Sequence, residues 1–121
     1  MTDTREILQL AAKAAGYVIV DFHDDGAWVH KVGAIKNSDG EFPIFLWRPR
    51  VDDGDALRLA VAFHIDFYEG NDEGPTAYAG YFVRGDIRQK FVTVPHGTDP
   101  YAATRLAITK AAAEIGRAMK H

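Results

Sequence analysis

Three aspartates, Asp52, Asp53 and Asp55, surround Gly54 just after Arg48 and Arg50, which bracket Pro49 beside Trp47. Crowded carboxylates suit a hard cation. Guanidiniums on a stiff backbone beside an aromatic ring suit a carboxylate or a phosphate. A calcium loop of the EF-hand kind needs alternating oxygen ligands and a glutamate at its twelfth position. The three aspartates do not alternate, and Phe63 holds the twelfth place counted from Asp52. Magnesium, which needs only one or two carboxylates and a phosphate, stays open. Helix capping accounts for more of the pattern. Asp52 as N-cap and Asp55 at N3 occupy capping-box positions, and all three charges lie where a helix dipole favours anions. For Trp47, Arg48 and Arg50 two readings stand. The local acids favour internal pairing of the arginines with Asp52, Asp53 or Asp55; the other reading is a ligand-binding pocket for an anionic metabolite or nucleotide.

The remaining chemistry-bearing residues do not converge. His23, His30, His64, His96 and His121 form no HExxH or HxH spacing, and with no cysteine in the chain no mixed zinc set can be completed. His64, near Leu57 and Val61, reads as a structural histidine at a helix end. His96 lies in the connector "PHGTDP". No GxSxG, Walker-type or GxGxxG motif is present. The motifs therefore name no catalytic residue, no metal ligand and no cofactor. Arg84-Gly85-Asp86 reads as a hairpin turn that needs a glycine with positive φ. Tyr78, Tyr81, Phe82 and Phe91 with Arg84, Arg88 and Lys90 have the composition of a nucleic-acid platform but no RNP-type motif, so a half-solvated hairpin is the simpler reading.

The elements that must position these residues follow from periodicity. Helix 1 spans Thr4 to Ala15, with Ile7, Leu10, Ala11 and Ala14 on one face, a cap at Thr2, Asp3 or Thr4, and Gly16 at its C-terminal end. Strands are expected at Tyr17–Phe22, Ala27–Lys36 and Phe42–Trp47, the last buried on both faces by its continuous apolar run. Helix 2 runs from the aspartates to about His64. A short strand follows at Ile65–Gly70, then a hairpin of Ala77–Arg84 and Ile87–Val94 joined through Gly85-Asp86. Asp99 before Pro100 is an N-cap followed by a pre-set first helical residue, opening helix 3, which runs to about Met119. Its apolar stripe is Tyr101, Ile108, Ala112, Ile115 and Met119, with Arg105 at the edge and Leu106 opposite. The order is α-βββ-α-βββ-α: an α+β fold, with a largely antiparallel sheet of about six strands flanked by three helices as an αβα sandwich. "ILQLAAKA" and "ALRLAVAF" echo one another weakly, as an old duplication or as convergent amphipathic helices.

At 121 residues the chain is expected to form a single domain, residues 1 to 121, with a core of its own. Its 47% hydrophobic and 26% charged content is that of a globular protein. A net charge of −3, from 14 basic and 17 acidic residues, supplies no concentrated positive field, so general nucleic-acid binding is disfavoured. The opening "MTDTREILQLAAKAAG" breaks the apolar core that a signal peptide needs, and no run approaches the length of a membrane span. A cytoplasmic location without membrane association is expected.

Two segments, "WRPRVDDGDALRLAV" (Trp47–Val61) and "DPYAATRLAITKAAAEIGRAM" (Asp99–Met119), together with "REILQLAAKAAG" (Arg5–Gly16), resemble small phage and prophage proteins carrying the phage ABA sandwich domain. The matching pieces cover about half of the chain. The resemblance implies helix, sheet and helix layers, a phage or prophage gene acting inside a bacterial host, and no established activity, so no residue inherits a catalytic role. The leading expectation is a non-enzymatic phage accessory protein that binds a phage or host protein, with homo-oligomerisation as one form of that. A small-molecule binder at Trp47, Arg48 and Arg50 is the alternative. A metal-dependent hydrolase using Asp52, Asp53, Asp55 and His64 comes third.

Overall fold

A computed structural model describes residues 4–119. Thr2, Asp3 and His121 lie outside that range. Three helices and six strands follow in the order α1 (Thr4–Ala15), β1 (Tyr17–His23), β2 (Gly26–Lys31), β3 (Phe45–Trp47), α2 (Asp53–Ala62), β4 (Asp66–Asn71), β5 (Pro75–Tyr81), β6 (Lys90–Pro95) and α3 (Pro100–Ala118). The α-βββ-α-βββ-α order is therefore the fold, and the six strands divide into two three-stranded antiparallel sheets, β1-β2-β3 and β4-β5-β6. Each is a meander in which consecutive strands pair, so neither needs a crossover.

Alternation decides what each sheet buries. In the second sheet Ala77 and Ala79 face the helices opposite Val94 and Val92, while Tyr78 and Phe91 face outward. Tyr68 stacks on Tyr78 with centroids 5.0 Å apart, and Tyr78 in turn covers Gly70. Helix α3 packs on this sheet and on α1; α1 also lies on β1, and α2 packs on α3. Squeezed on several sides, α3 buries Ala103, Ala107, Ile108, Thr109, Ala111, Ala112, Ala113 and Gly116. Six of these are alanine or glycine because close helix and sheet neighbours leave no room for longer side chains. The Thr109 hydroxyl, fully buried, donates back to the Arg105 carbonyl at 2.7 Å.

Several local expectations need correction. The strand expected over Phe42–Trp47 is only Phe45–Trp47 and is not buried on both faces, because β3 is an edge strand and Phe42, Ile44 and Phe45 remain exposed. The second strand ends at Lys31, where Ala34 N–H turns back to the Lys31 carbonyl and Gly33 takes φ 79°. The hairpin joined through Gly85-Asp86 is instead a longer connection, from Phe82 to Gln89. Asp86 causes this: its Oδ1 accepts from the Arg88 amide at 2.9 Å and from Arg88 Nε at 3.2 Å, curling the chain before β6 begins. Those bonds, the backbone amide of Arg88 first, hold the Asp86 carboxyl below the usual carboxylate range. Tyr101 and Met119 leave the expected core stripe of α3 and are exposed, while Leu106 is half-buried.

Candidate functional site

The turn from Trp47 to Asp55 is built by its own side chains. Pro49 is fully buried, and the Val51 and Asp52 amides both return to the Arg48 carbonyl, at 3.1 and 2.8 Å. Asp52 then caps α2, its Oδ2 accepting from the Asp55 amide at 2.8 Å. The reciprocal arm of a capping box is absent. Asp55, one methylene shorter than Glu, accepts from the Arg48 amide at 2.9 Å and from Arg58 Nη1 at 2.9 Å, closing the turn from the other side. Asp99 caps α3 through the amides of Tyr101 and Ala102, at 3.0 and 3.2 Å, with Pro100 in the first helical turn.

Trp47, Arg48 and Arg50 are not gathered into one cleft. Trp47 is 2% exposed and packs edge-on to Tyr17 in the core, so its ring offers no face to a guanidinium or a ligand. Arg48 lies on the surface. Arg50 pairs with neither Asp52, Asp53 nor Asp55: its Nη1 donates to Thr4 Oγ1 at 3.1 Å and lies 3.7 Å from Asp25 Oδ1. Its Nε is buried with no hydrogen-bond partner among the described residues. A cavity of about 510 Å³ reaches Arg50, but Asp25 and Asp99 line it alongside Arg50, Arg105 and His96, so its charge is mixed. The three aspartates and His64 fall at opposite ends of the ten-residue α2, about 15 Å apart along the axis, and His64 is exposed. No group of three metal-ligating side chains forms among the described residues.

What the fold does assemble is an apolar groove of about 520 Å³ between α2, β4 and α3. Its floor is Tyr101, Thr104, Arg105 and Ile108, the i, i+3, i+4, i+7 stripe of α3. One wall is Asp53, Ala56 and Leu57, the matching stripe of α2; the other is Phe67 and Glu69, alternate residues of the edge strand β4. Leu57, Phe67 and Tyr101 are 52%, 43% and 72% exposed. Leu57 and Val61, named above beside His64, are both solvent-facing; α2 buries Ala56, Leu59 and Ala60 instead.

The polar groups at the groove hold its walls together. Arg105 Nε donates to the Arg50 carbonyl at 3.0 Å and Nη1 to Asp53 at 2.7 Å, fastening the start of α2 to α3. Glu69 Oε1 accepts from Thr104 Oγ1 at 2.9 Å and lies 2.7 Å from His96 Nε2, fastening β4 to α3 and to the end of β6. Thr104 shares its hydroxyl proton with the Pro100 carbonyl at 2.8 Å. Each polar side chain here, apart from the exposed Tyr101 phenol, already has a partner within the protein.

Of these residues the sequence singled out Asp53, Leu57, His96, Tyr101, Arg105 and Ile108 without assembling them, and gave no sign of Phe67, Glu69 or Thr104. The available signal was the coincidence of two helical stripes, 53/56/57 and 101/104/105/108, each mixing apolar and charged residues. Compared with known proteins, the chain matches no family model, no curated protein and no solved structure.

Proposed function

We propose that the chain is a non-enzymatic binding module that holds an apolar segment of a protein partner in the α2–β4–α3 groove. The observation that carries this reading is the concave cluster of Leu57, Phe67 and Tyr101, large side chains left in water on three different elements. Scattered exposed apolar residues are ordinary, whereas a shared concave patch is the usual mark of an interaction surface. A helix-in-groove or loop-in-groove mode suits its width, set by two helices and a strand. A small-molecule site of this volume would ordinarily present unpaired donors and acceptors to orient its ligand. Here the polar side chains are spent on one another, which favours a partner recognised by shape and apolar contact. The likeness of Trp47–Val61 and Asp99–Met119 to the phage sandwich proteins supports a setting in a bacterial cytoplasm, as an accessory protein of a phage or prophage. No helix among the described residues is long and apolar enough to cross a membrane.

Peptide display against the folded protein tests the reading. We expect enrichment of sequences with one or two large apolar anchors, whose binding shifts the NMR signals of Leu57, Phe67 and Tyr101. Leu57→Arg, on an exposed helical position that arginine tolerates, should weaken those peptides by about 10- to 100-fold, the value of one buried aliphatic side chain. Peptides that bind Leu57→Arg equally well would sink the groove as the site.

A further inference from the structure

The most exposed large hydrophobic residue among the described residues is Ile87, at 96%, on the connection between β5 and β6. We propose that this connection, with Ile87 as its anchor, is the segment that fills the groove, supplied by a second copy of the chain. The inference rests on the groove reading above and names its partner.

Three observations carry it. First, the loop is already ordered by its own contacts. Asp86 binds the Arg88 amide and guanidinium, Lys90 Nζ lies 3.5 Å from the same carboxylate, and Asp86 N–H returns to the Val83 carbonyl at 3.2 Å. A pre-shaped loop holding an apolar side chain in water loses little freedom on docking. Second, the charges match. Ile87 is surrounded by Arg84, Arg88 and Lys90 against the single carboxylate of Asp86. The groove carries Asp53, 80% exposed and paired with Arg105, and Glu69 beside His96, so that two carboxylates stand against one permanent cation among its lining residues and the excess charge is negative. A loop with excess positive charge and a groove with excess negative charge attract one another, which steers the encounter while the apolar contact holds it. Third, the loop is held away from its own groove: Gln89 Nε2, at its end, donates to Asp66 Oδ2 at 3.0 Å, and Asp66 lies on the face of β4 opposite the groove-lining Phe67 and Glu69. Arg84 lines a hollow with Ile115, Ala118 and Met119 at the C-terminal end of α3, whereas the groove is built on Tyr101 to Ile108 near its start. Ile108 and Ile115, the nearest residues of the two on α3, are about 10 Å apart along the helix axis. The contact is therefore between molecules. Placement at opposite ends lets it be made twice in an antiparallel pair, or once per molecule along a chain.

One loop in one groove is a small interface, so the association is weak and belongs to the transient class. Sedimentation velocity over roughly 10 µM to 1 mM, a span suited to weak complexes, should show the mass of the wild type rising with concentration. Ile87→Asp and Leu57→Arg should each remain monomeric over the whole span. Both change exposed side chains, and circular dichroism confirms that they fold. Mixed in equal amounts they should associate again and stop at two, because one retains the groove and the other retains the loop. Ile35→Asp, removing another highly exposed isoleucine, should associate like the wild type. A wild type that stays monomeric at 1 mM, the upper end of that range, overturns the proposal. So does a variant that still associates, a mixture that does not, or loss of association in Ile35→Asp. If the wild type is monomeric yet display peptides bind in a Leu57-dependent way, only the self-contact falls; if peptides ignore Leu57→Arg, the groove itself falls.

Discussion

At residue 64 the backbone turns left-handed, with φ 53°, and the residue there is histidine rather than glycine. The geometry is that of a helix C-terminus: Phe63 N–H returns to the Leu59 carbonyl at 3.1 Å, and Ile65 N–H reaches the Ala60 carbonyl at 2.9 Å. Ile65 is thereby turned into the core while His64 stays exposed. A β-carbon in this conformation costs about 1–2 kcal/mol, part of which glycine returns through its greater freedom in the unfolded chain. His64→Gly should therefore stabilise the protein by about 0.5–1 kcal/mol, read as a higher urea midpoint with an unchanged slope. A loss of stability would mean that the imidazole supports the fold, and would return His64 to consideration as a working residue. The sequence marked His64 as terminal and structural because an imidazole after an apolar helix needs no further role. It could not show the left-handed turn, since nothing local forbids glycine there.

Between elements, α1 and α3 approach closely at Gly116. A β-carbon built on Gly116 would collide with the carbonyl oxygen of Leu10, which is backbone and cannot step aside. Intrinsic propensity alone predicts that Gly116→Ala gains about 1 kcal/mol in the interior of a helix. The collision forces the two helices apart at an otherwise close-packed interface, an overpacking that typically costs about 1–3 kcal/mol. We expect the second effect to win, with Gly116→Ala destabilising by roughly 1–2 kcal/mol and hydrogen-exchange protection falling in α1 as well as α3. A stabilised variant would show that the helix pair has slack. Elements with strong local punctuation were legible from sequence: Asp99-Pro100 at the start of α3, Gly16 after α1, and Asp52 before α2 each satisfy a helix end within four residues. Their failures are tertiary. Phe42–Trp47 has the composition of a buried strand, but whether a second layer covers it depends on where distant helices pack. Tyr101 likewise fits the helical stripe of α3, yet at that end α2 and β4 stand apart and leave it in water.

Over the whole molecule, Arg105 joins two regions that sequence separation keeps apart. From α3 it binds the Arg50 carbonyl and the Asp53 carboxylate, both in the turn that leads from the first sheet into α2. The site could be read from sequence only in its parts, because its two walls, on consecutive elements α2 and β4, meet a floor on α3 that lies far along the chain. The two bonds of Arg105 are unequal. Asp53 is exposed, so its ion pair contributes about 0–1 kcal/mol. The Arg50 carbonyl is met in a part-buried setting, and leaving such an acceptor unpaired costs about 1–3 kcal/mol. Arg105→Met should therefore destabilise by about 1–3 kcal/mol, against less than about 1 kcal/mol for Asp53→Ala. A double-mutant cycle between the two positions should give a coupling below about 1 kcal/mol. Lysine cannot supply the planar fork that reaches both acceptors, so Arg105→Lys should lose most of what Met loses despite keeping the charge. Urea denaturation of the wild type, the three single variants and the double mutant decides the matter. If Asp53→Ala costs as much as Arg105→Met, the ion pair holds the start of α2 in place; if Arg105→Lys is neutral, charge alone suffices. With the carbonyl as the main anchor, raising salt should leave the cost of Arg105→Met nearly unchanged, since screening weakens an exposed ion pair far more than a part-buried hydrogen bond.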